Sequence, residues 1–189
     1  MAGFVLGRPR EAGWSGDEAH AGLEAMAMAD RFGAFEILTM AEQIERQGAG
    51  FYRAAAAKFD EEELRSLFFQ LAQWELSHQQ VIADMKRELL ERRDNRLSLD
   101  EAGFLSSNPQ RLASLAKSAV KGDLGRQLSA VTGRAGILEL ALTIERDTIA
   151  FYHALDKSVR DLTASGKIKA ILEEENKHIA ILTQAMKGR

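Results

Sequence analysis

The sequence predicts an all-α fold, a four-helix bundle built from two helical hairpins joined by a long crossover. Three observations carry that expectation. The chain nearly repeats itself at an offset of 100 residues without a gap. Ile37-Leu38, Ala41, Ile44-Glu45-Arg46, Phe51-Tyr52 and Ala54 recur as Ile137-Leu138, Ala141, Ile144-Glu145-Arg146, Phe151-Tyr152 and Ala154, and Glu75 and His78 recur as Glu175 and His178. Most of the surrounding residues differ, so the register does not come from low complexity. Apolar residues in both halves also fall at three- and four-residue steps, the period of helices with one buried face. Lastly, Glu45 and Glu75 lie 30 residues apart about residue 60, and Glu145 and Glu175 lie 30 apart about residue 160. A turn at each midpoint puts every one of these carboxylates ~22 Å from it at ~1.5 Å per residue. Antiparallel helices then bring each pair level.

The elements follow in order. Residues 1–30, rich in Ala and Gly with Pro9, Trp14 and Ser15, form an N-terminal extension outside the repeat, with a short helix expected around 17–29. Residues 31–189 form one domain. Its first half, about 32–92, holds helices over about 32–58 and 61–92. Asp60 reads as the N-cap between them, followed by Glu61, Glu62 and Glu63, acids suited to the positive end of a helix dipole. The second half, about 134–187, repeats this with helices over about 134–157 and 161–187 and with Asp161 near the corresponding start. The connector, 93–133, is too long for a bare loop. It carries two short helix starts, the capping-box form Ser98-Leu99-Asp100-Glu101 and Asn108-Pro109 with Pro at a first helical position.

Composition narrows the function. At 189 residues the chain can bury a real core. Its 46% hydrophobic and 28% charged content, with two prolines, suits a helical soluble protein, and a net charge of −3 gives no reason to expect nucleic acid or an anionic membrane as partner. Zero cysteines exclude disulfides, thiolate catalysis, zinc ribbons and cysteine-ligated iron–sulfur centres. No apolar run approaches the roughly 18 residues of a membrane span, and residues 1–16 lack the apolar region of a secretory signal. A cytoplasmic location is expected.

The chemistry lies in the repeated acids and imidazoles. Leu64, Phe68, Leu71, Glu75, His78, Ile82 and Met85 form one core-facing stripe, and Ile168, Ile171, Glu175, His178 and Leu182 form another. An ionised carboxylate inside such a stripe costs several kcal/mol unless it is paired or metal-bound. A lone Glu-x-x-His is ordinarily a solvated pair. Here it occurs twice in register, each time with a Glu 30 residues upstream. Four carboxylates and two imidazoles can hold two divalent cations, and hard oxygen donors with one imidazole per metal favour iron or manganese over zinc or copper. The candidate metal ligands are Glu45, Glu75, His78, Glu145, Glu175 and His178. Each Glu of the Glu-x-x-His motifs is expected to bridge, and Glu45 and Glu145 to be terminal.

Other positions carry weaker signals. Tyr52 and Tyr152 lie seven residues after Glu45 and Glu145, on the same face, where a phenol either reaches a ligand carboxylate across the bundle or fills the core. Glu42, one turn before Glu45, is a possible additional ligand, although its repeat partner is Leu142 and a solvated face is the plainer reading. Arg46 and Arg146 read as surface ion-pair formers, Trp74 as packing rather than a redox relay, and His20 and His153 as structural or exposed.

With these residues in view, the chain resembles the rubrerythrin branch of the ferritin-like superfamily over about 32–189. The resemblance implies the ferritin-like crossover and a centre of two iron ions that reacts with hydrogen peroxide or O₂, in peroxide reduction or iron oxidation, with the six residues above at the family's ligand positions. Two departures bear on activity. Rubrerythrins carry a rubredoxin domain with a four-cysteine iron site, and this chain has no Cys, so an external electron-donor protein is expected. Rubrerythrins also carry an additional Glu near the ligand in the third helix, where Leu142 stands here. The resemblance further implies a homodimer or higher oligomer, and a long crossover allows hairpins to be exchanged between chains. The expected function is thus a di-iron peroxidase or, in the alternative, a ferroxidase or iron-handling protein. A non-catalytic metal-binding bundle is the remaining possibility.

Overall fold

The computed structural model describes residues 34–91, 99–100, 103–104 and 124–188. The expected extension over 1–30 with His20, the Asn108-Pro109 helix start, and Ser98 and Glu101 of the expected capping box lie outside the described residues. Five helices are present among them: α1 Ala34–Ala56, α2 Glu62–Glu91, α3 Leu124–Ala130, α4 Gly133–Ser158 and α5 Leu162–Lys187. The four long helices are those the periodicity predicts, to within a few residues at their ends.

Both hairpin turns fall where the carboxylate spacing places them. After α1, Lys58 N and Phe59 N donate to Ala55 O and Ala56 O at 2.9 and 3.2 Å, and Phe59 folds inward with its ring 5.0 Å from that of Phe68. The cap of α2 differs from the expectation. Glu61 O accepts the first helical bond, from Arg65 N at 3.0 Å, so the helix begins one residue later than an Asp60 cap requires. The buried Phe59 draws the chain inward just before it. In the second turn Asp161 does cap α5, its carboxylate accepting from Ala164 N at 2.9 Å.

The core divides into two apolar clusters, one at each end of the bundle. The first joins Ile37 and Leu38 of α1 to Ile82 and Met85 of α2, Leu155 of α4 and Ile168 of α5. The second joins Phe51 of α1 to Phe68 and Leu71 of α2, Leu138 of α4 and Leu182 of α5. The start of α1 therefore lies beside the ends of α2 and α4 and the start of α5, so α2 and α4 run the same way. Successive helices that run parallel cannot be joined by a short turn. The chain must travel back along the bundle, ~39 Å for the 26 residues of α4.

The described parts of the connector mark that route. Leu99 pairs with Val159, Asp100 N donates to Ser158 O at 2.8 Å, and Phe104, fully buried, packs edge-on against Phe151 at 5.5 Å in the first cluster. Leu128 of α3 is buried in the second cluster. The helical turn at 103–104 is capped by Asp100, which accepts from Gly103 N at 2.9 Å. The pairing of Leu99 with the α4–α5 turn immediately precedes that cap. Gly133, at φ 72°, opens α4 in a conformation that L side chains rarely adopt.

Phe104 fastens the crossover to the bundle. Phe104→Ala is expected to cost about 3–5 kcal/mol, whereas Leu162→Ala, at a side chain 89% exposed, should change stability by less than about 0.5 kcal/mol. Urea denaturation of the metal-free protein measures both, and equal effects would contradict this account of the crossover.

Candidate metal centre

Between the two apolar clusters, at mid-helix on all four long helices, the stripe residues become charged. Glu45 projects from α1, Glu75 and His78 from α2, Glu145 from α4, and Glu175 and His178 from α5. None is more than 3% exposed. Their donor atoms form two groups, Glu45–Glu75–His78–Glu175 and Glu75–Glu145–Glu175–His178, and within each group the atoms lie within 4.8 Å of one another. Glu75 and Glu175 belong to both groups. Glu45 and Glu145 each belong to one.

The imidazoles turn Nδ1 toward these carboxylates. His78 Nδ1 stands 2.9 Å from Glu175, 3.5 Å from Glu45 and 3.8 Å from Glu75. His178 Nδ1 stands 3.2 Å from Glu175, 3.4 Å from Glu75 and 3.5 Å from Glu145. Despite this proximity, both Nδ1 atoms, both Glu175 oxygens and Glu45 Oε2 lack an aligned hydrogen-bond partner. Close but misaligned donor atoms suit the sharing of a cation better than the sharing of a proton. Buried polar atoms without partners are also costly. Two divalent ions would balance the charge of four ionised carboxylates, so the residues present fit a dinuclear metal site.

Protonation reflects the same crowding. Burial, reinforced by the charge of Glu75, pushes the Glu45 carboxyl well above the usual carboxylate range. Burial, with Glu175 beside it, does the same to Glu145. Burial also works against the Glu175 carboxylate, but the proximity of Glu145, His178 and His78 outweighs it and holds Glu175 low. For His178, burial opposes the charge, yet Glu145, Glu175 and Glu75 raise the imidazole to about 11. His78 is also raised, by Glu175, Glu45 and Glu75 against the same opposing burial.

Tyr52 and Tyr152 lie where their spacing put them and reach across the bundle. Tyr52 donates to Glu145 Oε1 and Tyr152 to Glu45 Oε1, each crossing to the other hairpin. Burial, with the adjacent carboxylate, pushes both phenols well up, so both remain donors. Each carboxylate that belongs to a single group is thus fixed by a phenol from the opposite half.

The remaining candidates stand apart. Glu42 lies outside both groups, held by Lys86 Nζ at 2.7 Å and Arg46 at 3.2 Å, and Lys86 holds its carboxyl below the usual range. Its place one turn before Glu45 rotates it toward the rim of the bundle, within reach of those cations. Leu142 is buried, whereas Glu139, Arg146 and His153 are exposed. Trp74 packs against the site, its ring 5.1 Å from His178 and 14° from parallel, and His178 in turn stacks on His78 at 5.5 Å.

Sequence reasoning missed Glu174, whose Oε2 lies 2.9 Å from His78 Nε2. It sits in the acidic run Glu173-Glu174-Glu175, which reads as a solvated face, and its repeat partner is Trp74. Gly48 was also missed. A Cβ there would meet Glu75 at 3.4 Å, so the position leaves room for that carboxylate, whereas its repeat partner is the buried Thr148.

Comparison with known proteins agrees with this geometry. Residues 36–113 match the rubrerythrin family model, a span that contains Glu45, Glu75 and His78. The structure is similar to that of a Thermotoga maritima protein assigned as a ferritin-like diiron-carboxylate protein, with a TM-score of 0.59 and 22% identity, over 82% of this chain and 95% of that one. No curated protein sequence matches the chain. At that identity the structural likeness establishes the fold, while the family match covers the first hairpin and part of the crossover. The chain thus shares the all-α bundle fold of that ferritin-like protein, and its residues 36–113 are similar to rubrerythrins.

Proposed function

We propose that the chain holds two iron ions, with manganese as the other metal its donors suit, and is an oxidoreductase that reduces hydrogen peroxide or O₂ with electrons from an external donor protein. The observation that carries this reading is the pair of donor groups sharing Glu75 and Glu175. Those two carboxylates would bridge, while Glu45 with His78 and Glu145 with His178 would complete the separate positions. Such a centre, when loaded, supplies two electrons and Lewis acidity toward an O–O bond. The protein's part is to fix the terminal carboxylates through Tyr152 and Tyr52 and to close the site between two apolar clusters. The match to rubrerythrins supports peroxide as the oxidant. Leu142, apolar and buried where those proteins carry a further Glu, favours ferroxidation or iron handling as the second reading. A homodimer or larger assembly in the cytoplasm is the working form we infer, and no described helix is long and apolar enough to cross a membrane.

Metal analysis after Fe(II) reconstitution should give about two ions per chain. Glu75→Ala or Glu175→Ala should lose both, because each removes a donor from both groups. Glu45→Ala or Glu145→Ala should keep at least one. Equal loss across all four variants would contradict the bridging assignment.

Loading should also release protons. The metal-free site holds them above the ordinary values on Glu45, Glu145 and His178, and a cation competes for the same atoms. Apparent affinity therefore rises with pH and weakens toward acid, by about tenfold per pH unit for each proton released. Calorimetry of metal binding in buffers of differing ionisation enthalpy counts those protons, and a count of zero would contradict the protonation pattern.

Stopped-flow mixing of the Fe(II)-loaded protein should give faster oxidation by peroxide than by O₂. Sustained turnover should require an added electron donor. A faster reaction with O₂, or particles that grow on gel filtration as Fe(II) is added, would favour iron handling instead.

A further inference from the structure

The two donor groups are related by the repeat, but the groups behind their imidazoles are not. His78 offers Nδ1 to the first group, and its Nε2 lies 2.9 Å from the Glu174 carboxylate. That partner holds the proton on Nε2, leaves the Nδ1 lone pair for a cation and makes the imidazole more basic. The repeat position of Glu174 is Trp74. There the structure sets an indole against the face of His178, and an indole nitrogen only donates hydrogen bonds. Trp74 therefore cannot do for His178 what Glu174 does for His78.

On the reading that the centre holds two metals, we infer that its two positions are unequal. The position served by Glu45 and His78 binds first and more tightly, with Glu174 as its positioning residue and Trp74 marking the weaker position. A carboxylate behind a ligating imidazole typically changes metal affinity about 10- to 100-fold. That is enough to separate the filling of two positions that share their bridging carboxylates.

Exchanging the two residues tests the inference. The metal-free protein is titrated with Co(II), followed by calorimetry and by the paramagnetically shifted histidine ring signals in proton NMR. In the unaltered protein the first equivalent should shift His78, and His178 should follow with the second. Glu174→Leu should weaken the first step about 10- to 100-fold. The double variant Glu174→Leu/Trp74→Glu should reverse the order, so that His178 shifts first. Glu174 is half exposed, and circular dichroism on each variant reports whether the helices persist. An unchanged order in the double variant, or simultaneous filling in the unaltered protein, would overturn the inequality while leaving the two-metal reading intact. Failure of the unaltered protein to take up two Co(II) ions would overturn both.

Discussion

The rest of the structure depends on the burial of four carboxylates between two apolar clusters. Helices of this length could pack with a continuous apolar seam, and the stripes on α2 and α5 show how near the sequence comes to that. Glu75 and Glu175 interrupt the seam at its midpoint, and neither can be solvated there. Buried like charges repel, so the centre is tolerable only with compensation. Part of it comes within the chain, from the imidazoles and from Tyr52 and Tyr152. The remaining unpartnered atoms, two Nδ1 and three carboxylate oxygens, define what a bound cation has to satisfy.

The phenols make this a property of both hairpins together. Tyr52 on α1 reaches Glu145 on α4, and Tyr152 on α4 reaches Glu45 on α1. Each donor group likewise draws on both hairpins, since Glu175 completes the first and Glu75 the second. Neither hairpin can assemble a group unaided. The parallel course of α2 and α4 requires the crossover, and Phe104 and Leu128 tie its described parts to the two apolar ends.

Much of this was legible in the sequence because it obeys a period. The six candidate ligands repeat at an offset of 100 residues, Glu75, His78, Glu175 and His178 interrupt apolar stripes, and the four glutamates lie equidistant from their turns, so the patterns converge on one set of residues. Tyr52 and Tyr152 were legible in position for the same reason, although spacing could not choose between a ligand partner and a core filler. What was not legible depends on contacts across the bundle. Glu174 lies in an acidic run typical of a solvent face, and only the approach of α2 to α5 gives it His78. The start of α2 moved past Asp60 because the buried Phe59, not local capping preference, decides where the chain bends.

The departures from the repeat, Glu42 against Leu142, Gly48 against Thr148 and Trp74 against Glu174, have a consequence that reaches beyond this molecule. One hairpin of this pattern carries three donors, and two identical copies brought together as separate chains would supply all six. Such a pair is bound to its twofold axis, and any substitution near one cation is imposed on the other. Fusion into a single polypeptide removes that bond between the halves. Each side can then drift alone, and a centre that began as a mirror of itself becomes free to divide its labour.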